Sequence, residues 1–423
     1  MLYERWLQVA RDRQRELALH SLADGRQWTF GELAASGERA GRDQAPVAFP
    51  LAGSVNFVFA VLRAWRSGQV VCPLEPGQSQ PRLQTPLPPG IVHLKTTSAT
   101  TGAPRLVAFT ADQLMADAQN ICATMGLRAD WPNLGVISMA HSYGFSNLVL
   151  PLLLQGIPLF VVGSALPEAV RRAAARQSDC TLAAVPALWG TWREAKAIPA
   201  NIRLAISAGA PMPPDLEQGI FAAYGLKVHN FYGSSECGGI AYDATMEPRA
   251  DGSCAGAPLR NVELSVSEDG CLEVRGRAVA EGYWPQRSAS LGEGLFRTSD
   301  LAELAGGLVF LRGRASDQIN VAGRKVSPET IERALAAHPQ VRECVAFGVP
   351  SSDAERGESI VACLALKANV SGEVLRRFLM EHLPAWQLPR EWWFVETLGA
   401  NSRGKLSRAE WRRRYLELAN TKA

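Results

Sequence analysis

The chain has 423 residues, 47% of them hydrophobic and 20% charged, an ordinary composition for a folded protein and one that suggests two or three domains at ~150 residues each. Its 44 basic and 41 acidic residues leave a net charge of +3 without a long basic block, which argues against nucleic acid as the main partner. The first residues do not read as a signal peptide, because Arg11, Arg13, Arg15 and Glu16 interrupt any apolar run. The longest apolar stretch, Leu148 to Val162, is broken by Gln155, Gly156 and two prolines and is shorter than the ~20 residues of a membrane helix. The eight cysteines are scattered without a Cys-x-x-Cys pair, so reduced thiols in a cytoplasmic protein are expected, with no membrane partner.

In chain order, residues 7–20 read as a helix, and a second helix follows Thr29 as candidate N-cap. Strand 47–51, helix 57–65 and strand 69–74 make a parallel βαβ unit. Residues 75–90, with five prolines, are a connecting loop. Strands at 91–94 and 106–110 flank a polar loop, and a helix spans 111–126. A strand at 135–140 delivers His141-Ser142-Tyr143-Gly144 at its carboxyl end, where open α/β sheets place ligands. A helix at 145–155 and alternating strands and helices follow, with strands at 157–162, 180–184, 202–207 and 227–231. The last two end in Ala208-Gly209-Ala210-Pro211 and Tyr232-Gly233-Ser234-Ser235-Glu236. From about 251 the apolar period changes to two, giving hairpins at 262–275 and 295–311. Helix 328–337, strands 344–348 and 360–366, helix 371–382 and a basic helix 407–418 complete a small α+β unit.

The loop between strands 91–94 and 106–110 is the most distinctive stretch. Thr97, Ser98, Thr100 and Thr101 place four hydroxyls within five positions, followed by Gly102-Ala103-Pro104-Arg105. Such a loop offers converging donors to a polyphosphate; its plain alternative is an exposed polar turn, since such residues are common in loops. The Walker signature is absent, because no Gly-Lys-Ser or Gly-Lys-Thr follows at the required distance.

Five motifs stand in order along nearly the whole chain: Thr97-Ser98-Ala99-Thr100-Thr101-Gly102, Tyr232-Gly233-Ser234-Ser235-Glu236, Thr298-Ser299-Asp300, Gly313-Arg314 running on to Gly323-Arg324-Lys325-Val326, and Gly404-Lys405-Leu406-Ser407-Arg408. Together they resemble the adenylate-forming superfamily of acyl- and aryl-CoA synthetases, adenylation domains and luciferases. The resemblance implies a large N-terminal α/β domain with an added antiparallel β subdomain, residues 1–315, and a small mobile C-terminal α+β domain, residues 316–423. It implies ATP, Mg²⁺ and a pantetheine thiol (CoA or an acyl carrier protein) as cofactors and partners. A carboxylate attacks the α-phosphate of ATP, releasing pyrophosphate, and a thiol then displaces AMP to give a thioester.

By the same resemblance, Thr97, Ser98, Thr100, Thr101 and Gly102 hold the phosphates. Glu236 holds Mg²⁺, a hard cation suited to carboxylate and phosphate oxygens. Tyr232 lies against adenine with Gly209, Ala210 and Pro211 on the other side, and Gly233, Ser234 and Ser235 complete that turn. Asp300 accepts from the ribose hydroxyls, and Arg314 assists near ribose and phosphate. Lys405 is the catalytic cation that bridges carboxylate and α-phosphate. His141 sits at the carboxylate and thiol entrance, Ser316 is the hinge, and Gly323 lets the pantetheine arm approach the backbone.

The chain departs from the family pattern at Ala99 and Ser299, where glycine is usual, and at Arg105, where lysine is usual. The connection from Pro73 to Lys95 is also short, so the first subdomain is expected to be reduced on one edge, opening that flank to a partner or a homodimer. Segment 139–144 has no acidic residue to pair with a substrate ammonium. A small carboxylic acid lacking an α-amino group is therefore expected, an aryl acid before a long fatty acid. The other class left open is a degenerate nucleotide-binding scaffold without catalysis.

Overall fold

The computed structural model describes residues 1–39, 41, 43–83, 87–97, 105–351, 357–399 and 407–422. Six parallel strands form the centre of the main sheet, in spatial order Leu17–Ser21, Leu159–Val161, Asn133–Gly135, Cys180–Ala184, Ile202–Ser207 and Val228–Ser234. Beyond the last of these the pairing turns antiparallel and runs through Gly238–Tyr242, Cys254–Pro258, Leu308–Arg314, Leu295–Ala305, Cys271–Gly276 and Val262–Val266. The expected antiparallel addition is thus hydrogen-bonded directly onto the parallel sheet. The central strands are buried on both faces, as a parallel sheet covered by helices requires; Cys180–Ala184 is buried throughout.

A second sheet of five strands contains the hairpin Ile91–Thr96 with Leu106–Thr110, the parallel pair Val47–Ala48 and Val70–Val71, and the edge strand Gly282–Trp284. Helix Ala111–Met125 leaves the hairpin through a reciprocal cap: Thr110 accepts from the Gln113 amide, and the Gln113 side chain accepts from the Thr110 amide. One apolar cluster joins this helix, the hairpin and the main sheet, including Leu114, Ile121, Phe109, Phe145 and Ile240. The C-terminal residues gather separately, around Ile331, Leu335, Leu375 and Leu379 and around Phe347, Val361 and Trp411. Among the described residues no helix is long and apolar enough to cross a membrane.

Three local expectations differ. The helix expected over 7–20 is confined to Leu2–Asp12, and Leu17–Ser21 is a strand. Ala18 and Leu19 are fully buried there, paired to Leu159–Val161 on one side and Gln27–Thr29 on the other. Tertiary pairing outweighs the weak local helix preference of the stretch. The strand expected over 135–140 is Asn133–Gly135 only. A Cβ at Gly144 would stand 2.0 Å from the Ser138 carbonyl oxygen, so the following helix folds back onto residues 138–139 and displaces them from the sheet. The helix expected over 145–155 has π geometry at Phe145–Val149 and Pro151–Gln155. Pro151 has no N–H for the usual ladder, which accounts for one interruption. Thr29 does cap the second helix, with Glu32 reciprocating.

Candidate active site

Antiparallel pairing of Leu295–Ala305 with Leu308–Arg314 sets Asp300 directly opposite Arg314. The guanidinium Nε donates to Asp300 Oδ1 at 3.1 Å, and Tyr232, from the end of the parallel sheet, donates its hydroxyl to Asp300 Oδ2 at 2.5 Å. Three motifs far apart in the chain therefore meet at one carboxylate. Burial, together with the Asp300 charge, pushes the Tyr232 hydroxyl well above the usual phenol range, so it stays a donor. Thr298 Oγ1 accepts from the Asp300 amide and fixes the turn of this acid. Ser299 is exposed and its φ is not positive, so this strand tolerates a Cβ where the family has glycine.

Glu236 follows the Val228–Ser234 strand. Its amide donates to Ser234 Oγ at 3.1 Å, and Tyr283 donates to its Oε1 at 2.9 Å. Arg105 lies over the Tyr283 ring at 5.3 Å, so this arginine is placed beside the Glu236 side of the site. Gly233 has to lack a side chain: a Cβ would meet the Gly238 carbonyl oxygen at 2.6 Å. Ser235 is half-buried beside Glu236. Thr97 closes the neck of the hydroxyl-rich loop, donating from its amide and hydroxyl to the Arg105 carbonyl at 2.9 and 3.2 Å. Ser98, Thr100, Thr101 and Gly102, and likewise Ala99, lie outside the described residues.

His141 begins a short helical turn, and its Nε2 stands 3.3 Å from Glu75 Oε1. Ser138 Oγ donates to the same oxygen. Glu75 comes from the proline-rich connection, which therefore reaches back over the strand ends to orient the imidazole. Replacing Glu75 by glutamine is expected to lower kcat about 10-fold, the order of one charge-assisted hydrogen bond, with the KM for ATP unchanged. Steady-state kinetics decide it; a change in the KM for ATP alone would place Glu75 elsewhere in the reaction. Tyr143 packs towards Phe231 and donates to the Ala184 and Ile206 carbonyls at 3.4 and 3.5 Å.

Gly209 adopts φ +85° two residues past the end of Ile202–Ser207, and Ala210 and Pro211 continue the turn beside the Tyr232 strand. A buried ionic network anchors this turn from behind. Lys227 donates to Glu217 and to Asp243 Oδ2 (2.6 Å), Arg249 donates to Glu217 Oε2 (2.9 Å), and Arg249 also donates to the Met212 carbonyl at 3.0 Å. In the C-terminal unit Gly323 tops the two-residue hairpin between Ile319–Val321 and Arg324–Val326, with Ala322 at φ +52° and Gly323 at +79°. Both angles are those a tight hairpin turn demands. Ser316 lies in the helical turn Ala315–Asp317. Lys405 lies outside the described residues, but Arg408 in the same motif is tied to Asp317, Glu329 and Glu332. Arg408 thereby ties the start of the last helix, Arg408–Lys422, to the segment that carries Ser316.

Glu75, Tyr283 and Arg408 were not singled out by sequence reasoning. Glu75 sits in a stretch that reads as solvated loop, and Tyr283 reaches Glu236 only through pairing of Gly282–Trp284 with Leu106–Thr110. Arg408 sits in a recognised motif, but its partners come from another part of the chain. Among the described residues no cluster of three or more His, Cys, Asp or Glu could hold a metal ion. A single carboxylate such as Glu236 nevertheless suits Mg²⁺, which usually takes one or two protein carboxylates and completes its shell with phosphate oxygens and water.

Residues 90–284 match the family model for the AMP-binding enzyme, and residues 330–405 match that for the AMP-binding enzyme C-terminal domain. A probable 2-succinylbenzoate–CoA ligase of Mycobacterium tuberculosis is 32% identical over 337 residues, covering 76% of this chain and 83% of that protein. An anthranilate–CoA ligase of Pseudomonas aeruginosa is 29% identical over 356 residues, covering 77% of this chain and 67% of its own length. Among solved structures, ATP-bound MatB from Rhodopseudomonas palustris superposes with a TM-score of 0.85 at 21% identity, covering 99% of both chains. The o-succinylbenzoate CoA synthetase of Bacillus subtilis superposes with a TM-score of 0.83 at 21% identity, covering 96% of this chain and 97% of that one.

Proposed function

The chain belongs to the AMP-binding enzyme family and is an AMP-forming acid–CoA ligase, and from that premise we propose that its substrate is a carboxylic acid without an α-amino group, an aryl acid before a long-chain one. The observation that carries the nucleotide half of this reading is the meeting of Tyr232, Asp300 and Arg314. A carboxylate flanked by a phenol and a guanidinium suits a ribose diol, with the Tyr232 ring against the base. Arg314 pairs with Asp300 and keeps its carboxylate turned to the site. Glu236 holds Mg²⁺ at the phosphates, where the ion supplies charge neutralisation and orientation.

The acid half rests on the segment around His141. Residues 139–144 present no carboxylate, and nearby Glu75 is engaged by Ser138 and His141. A substrate ammonium therefore has no evident acceptor there. The relatives named for 2-succinylbenzoate and anthranilate support an aryl acid. Lys405 brings a cation to the meeting of carboxylate and α-phosphate, two anions that otherwise repel. Domain rotation about Ser316 then withdraws it and presents the Gly323 hairpin to the thiol, with residues 1–315 and 316–423 as the two bodies.

The test is carboxylate-dependent pyrophosphate release over a panel of aryl, short-chain, long-chain and amino acids, with Lys405→Ala as control. Release with aryl acids that is lost in the variant supports the proposal. Brisk release with long-chain or amino acids and none with aryl acids refutes it. Turnover with CoA against a carrier protein bearing phosphopantetheine then identifies the acceptor.

A further inference from the structure

Lys95 lies on Ile91–Thr96, two residues before Thr97, and is only 4% exposed. Its Nζ donates to Ser142 Oγ at 3.2 Å and stands 4.4 Å from the centre of the Phe109 ring. No carboxylate among the described residues forms an ion pair with it. Asp117, 2% exposed on the neighbouring helix, acts on it at longer range, as does Glu236. Asp117 is engaged elsewhere: Ser146 donates to its Oδ2 at 2.6 Å, and the Gly239 amide donates to its Oδ1 at 3.1 Å. His93, on the same face of the strand, is fully buried against Phe145 (ring centres 4.3 Å apart), with both ring nitrogens unpartnered. Burial, with Lys95 nearby, holds His93 well below its usual range and therefore neutral, so it provides no counter-charge.

An ammonium taken out of water without a counter-ion is destabilising unless something repays its lost hydration. Burial lowers the Lys95 pKa despite the opposing pull of Asp117, Cys237 and Glu236, which marks that penalty as unrelieved in the free protein. The Gly238-Gly239 side is closed, filled by Asp117, Leu259 and Phe231, so the polar neighbour through which Lys95 is approached is Ser142. The residue lies one contact, through Ser142, from His141 and the segment that flanks the acid.

We propose that Lys95 is a specificity-determining residue of the acid site: its ammonium, at the floor formed with Ser142 and Asp117, receives an oxygen acceptor carried at the far end of the substrate, either a phenolic hydroxyl or a second carboxylate. This rests on the reading of His141 as the residue beside the reacting carboxylate. The reacting carboxylate itself meets the nucleotide at the open strand ends and has Lys405 as its cation. A group that reaches Lys95 must instead enter deep, past Ser142.

The experiment compares benzoate, 4-methylbenzoate, 4-hydroxybenzoate and 4-carboxybenzoate, and the corresponding cinnamates, by pyrophosphate release with the full chain and with Lys95→Met. The expected result is a kcat/KM for oxygen-bearing acids about 10- to 100-fold above that of the methyl analogue, the range of a hydrogen bond to a charged group. In Lys95→Met that ratio collapses to about one. The hydroxyl and carboxylate arms tell a neutral acceptor from an anion. No preference in the parent chain, or an equal loss for every acid in the variant, overturns the proposal. The rise in melting temperature on adding each acid reads binding without turnover. Absent pyrophosphate with selective binding therefore counts against the proposed reaction, and turnover without selectivity counts against Lys95. If Lys95→Met does not fold, the substituent preference of the parent chain and of Lys95→Gln decides.

Discussion

Asp300→Ala is expected to raise the KM for ATP about 100-fold while leaving the fold intact. In the structure this carboxylate accepts from Tyr232 and Arg314 and is turned to the site by Thr298. Two hydrogen bonds from a ribose diol to a charged acceptor contribute roughly 1.5 to 3 kcal/mol each, and the alanine variant also leaves the Tyr232 hydroxyl and Arg314 without their acceptor. Even the lower figure for both bonds, about 3 kcal/mol, corresponds to roughly a 100-fold change. The exposed Asp300–Arg314 pair, at 21% and 47%, contributes only about 0 to 1 kcal/mol, so the stability loss, about 1 to 3 kcal/mol, comes mainly from the Tyr232 hydroxyl left without its acceptor. ATP titration of pyrophosphate release and of intrinsic fluorescence measures it. A KM within threefold of the parent would remove Asp300 from the nucleotide site.

Glu217→Gln is expected to lose about 3 to 5 kcal/mol of stability, the range for breaking a buried ion pair on one side. Glu217 is fully buried, and Lys227, Arg249 and Asp243 are each below 7% exposed. The glutamine has nearly the same shape but leaves Lys227 with Asp243 alone and takes from Arg249 its carboxylate partner. Its amide also turns a donor towards groups that are themselves donors. Urea unfolding should shift its midpoint without a change of slope, since the unfolded chain is little altered. The same variant is expected to weaken nucleotide binding, because Arg249 holds the Met212 carbonyl at the end of the turn begun by Gly209. Unchanged stability would mean that the network is hydrated and not a buried charge cluster. The network also carries a pH signature. Burial pushes the Asp243 carboxyl up, but hydrogen bonds from Lys227 and Thr245 outweigh this and hold it below 3.8. Its contribution is therefore present above that pH and is lost as the pH falls through the folded value.

Much of the site was legible because its parts are short, local and chemically demanding. Glu236 follows a strand in a Gly-Ser-Ser turn, and Asp300 sits within a Thr-Ser-Asp step on a hairpin. The hydroxyl-rich run at 97–101 stands between two apolar strands. Periodicity also identified most elements, since central strands covered on both faces appear as continuous apolar runs such as Cys180–Ala184. It failed at Leu17–Ser21, where the apolar residues are as compatible with a helix and the decisive partner, Leu159–Val161, lies far along the chain.

By itself, then, the amino-acid sequence determined which chemistry-bearing residues the protein has, their order, and the element that carries most of them. Local spacing and turn chemistry are written in neighbouring residues. Only the tertiary structure decided which of those residues share an atom-to-atom contact: Tyr232 and Arg314 on Asp300, Tyr283 on Glu236, Glu75 on His141, Arg408 on Asp317, and Lys95 beneath Ser142. These pairings depend on strand register and on loops folding back over the sheet. Hydrogen bonds and apolar burial between distant segments set both, and a lysine's place in a buried floor or a glutamate's contact with an imidazole is visible only once they are made.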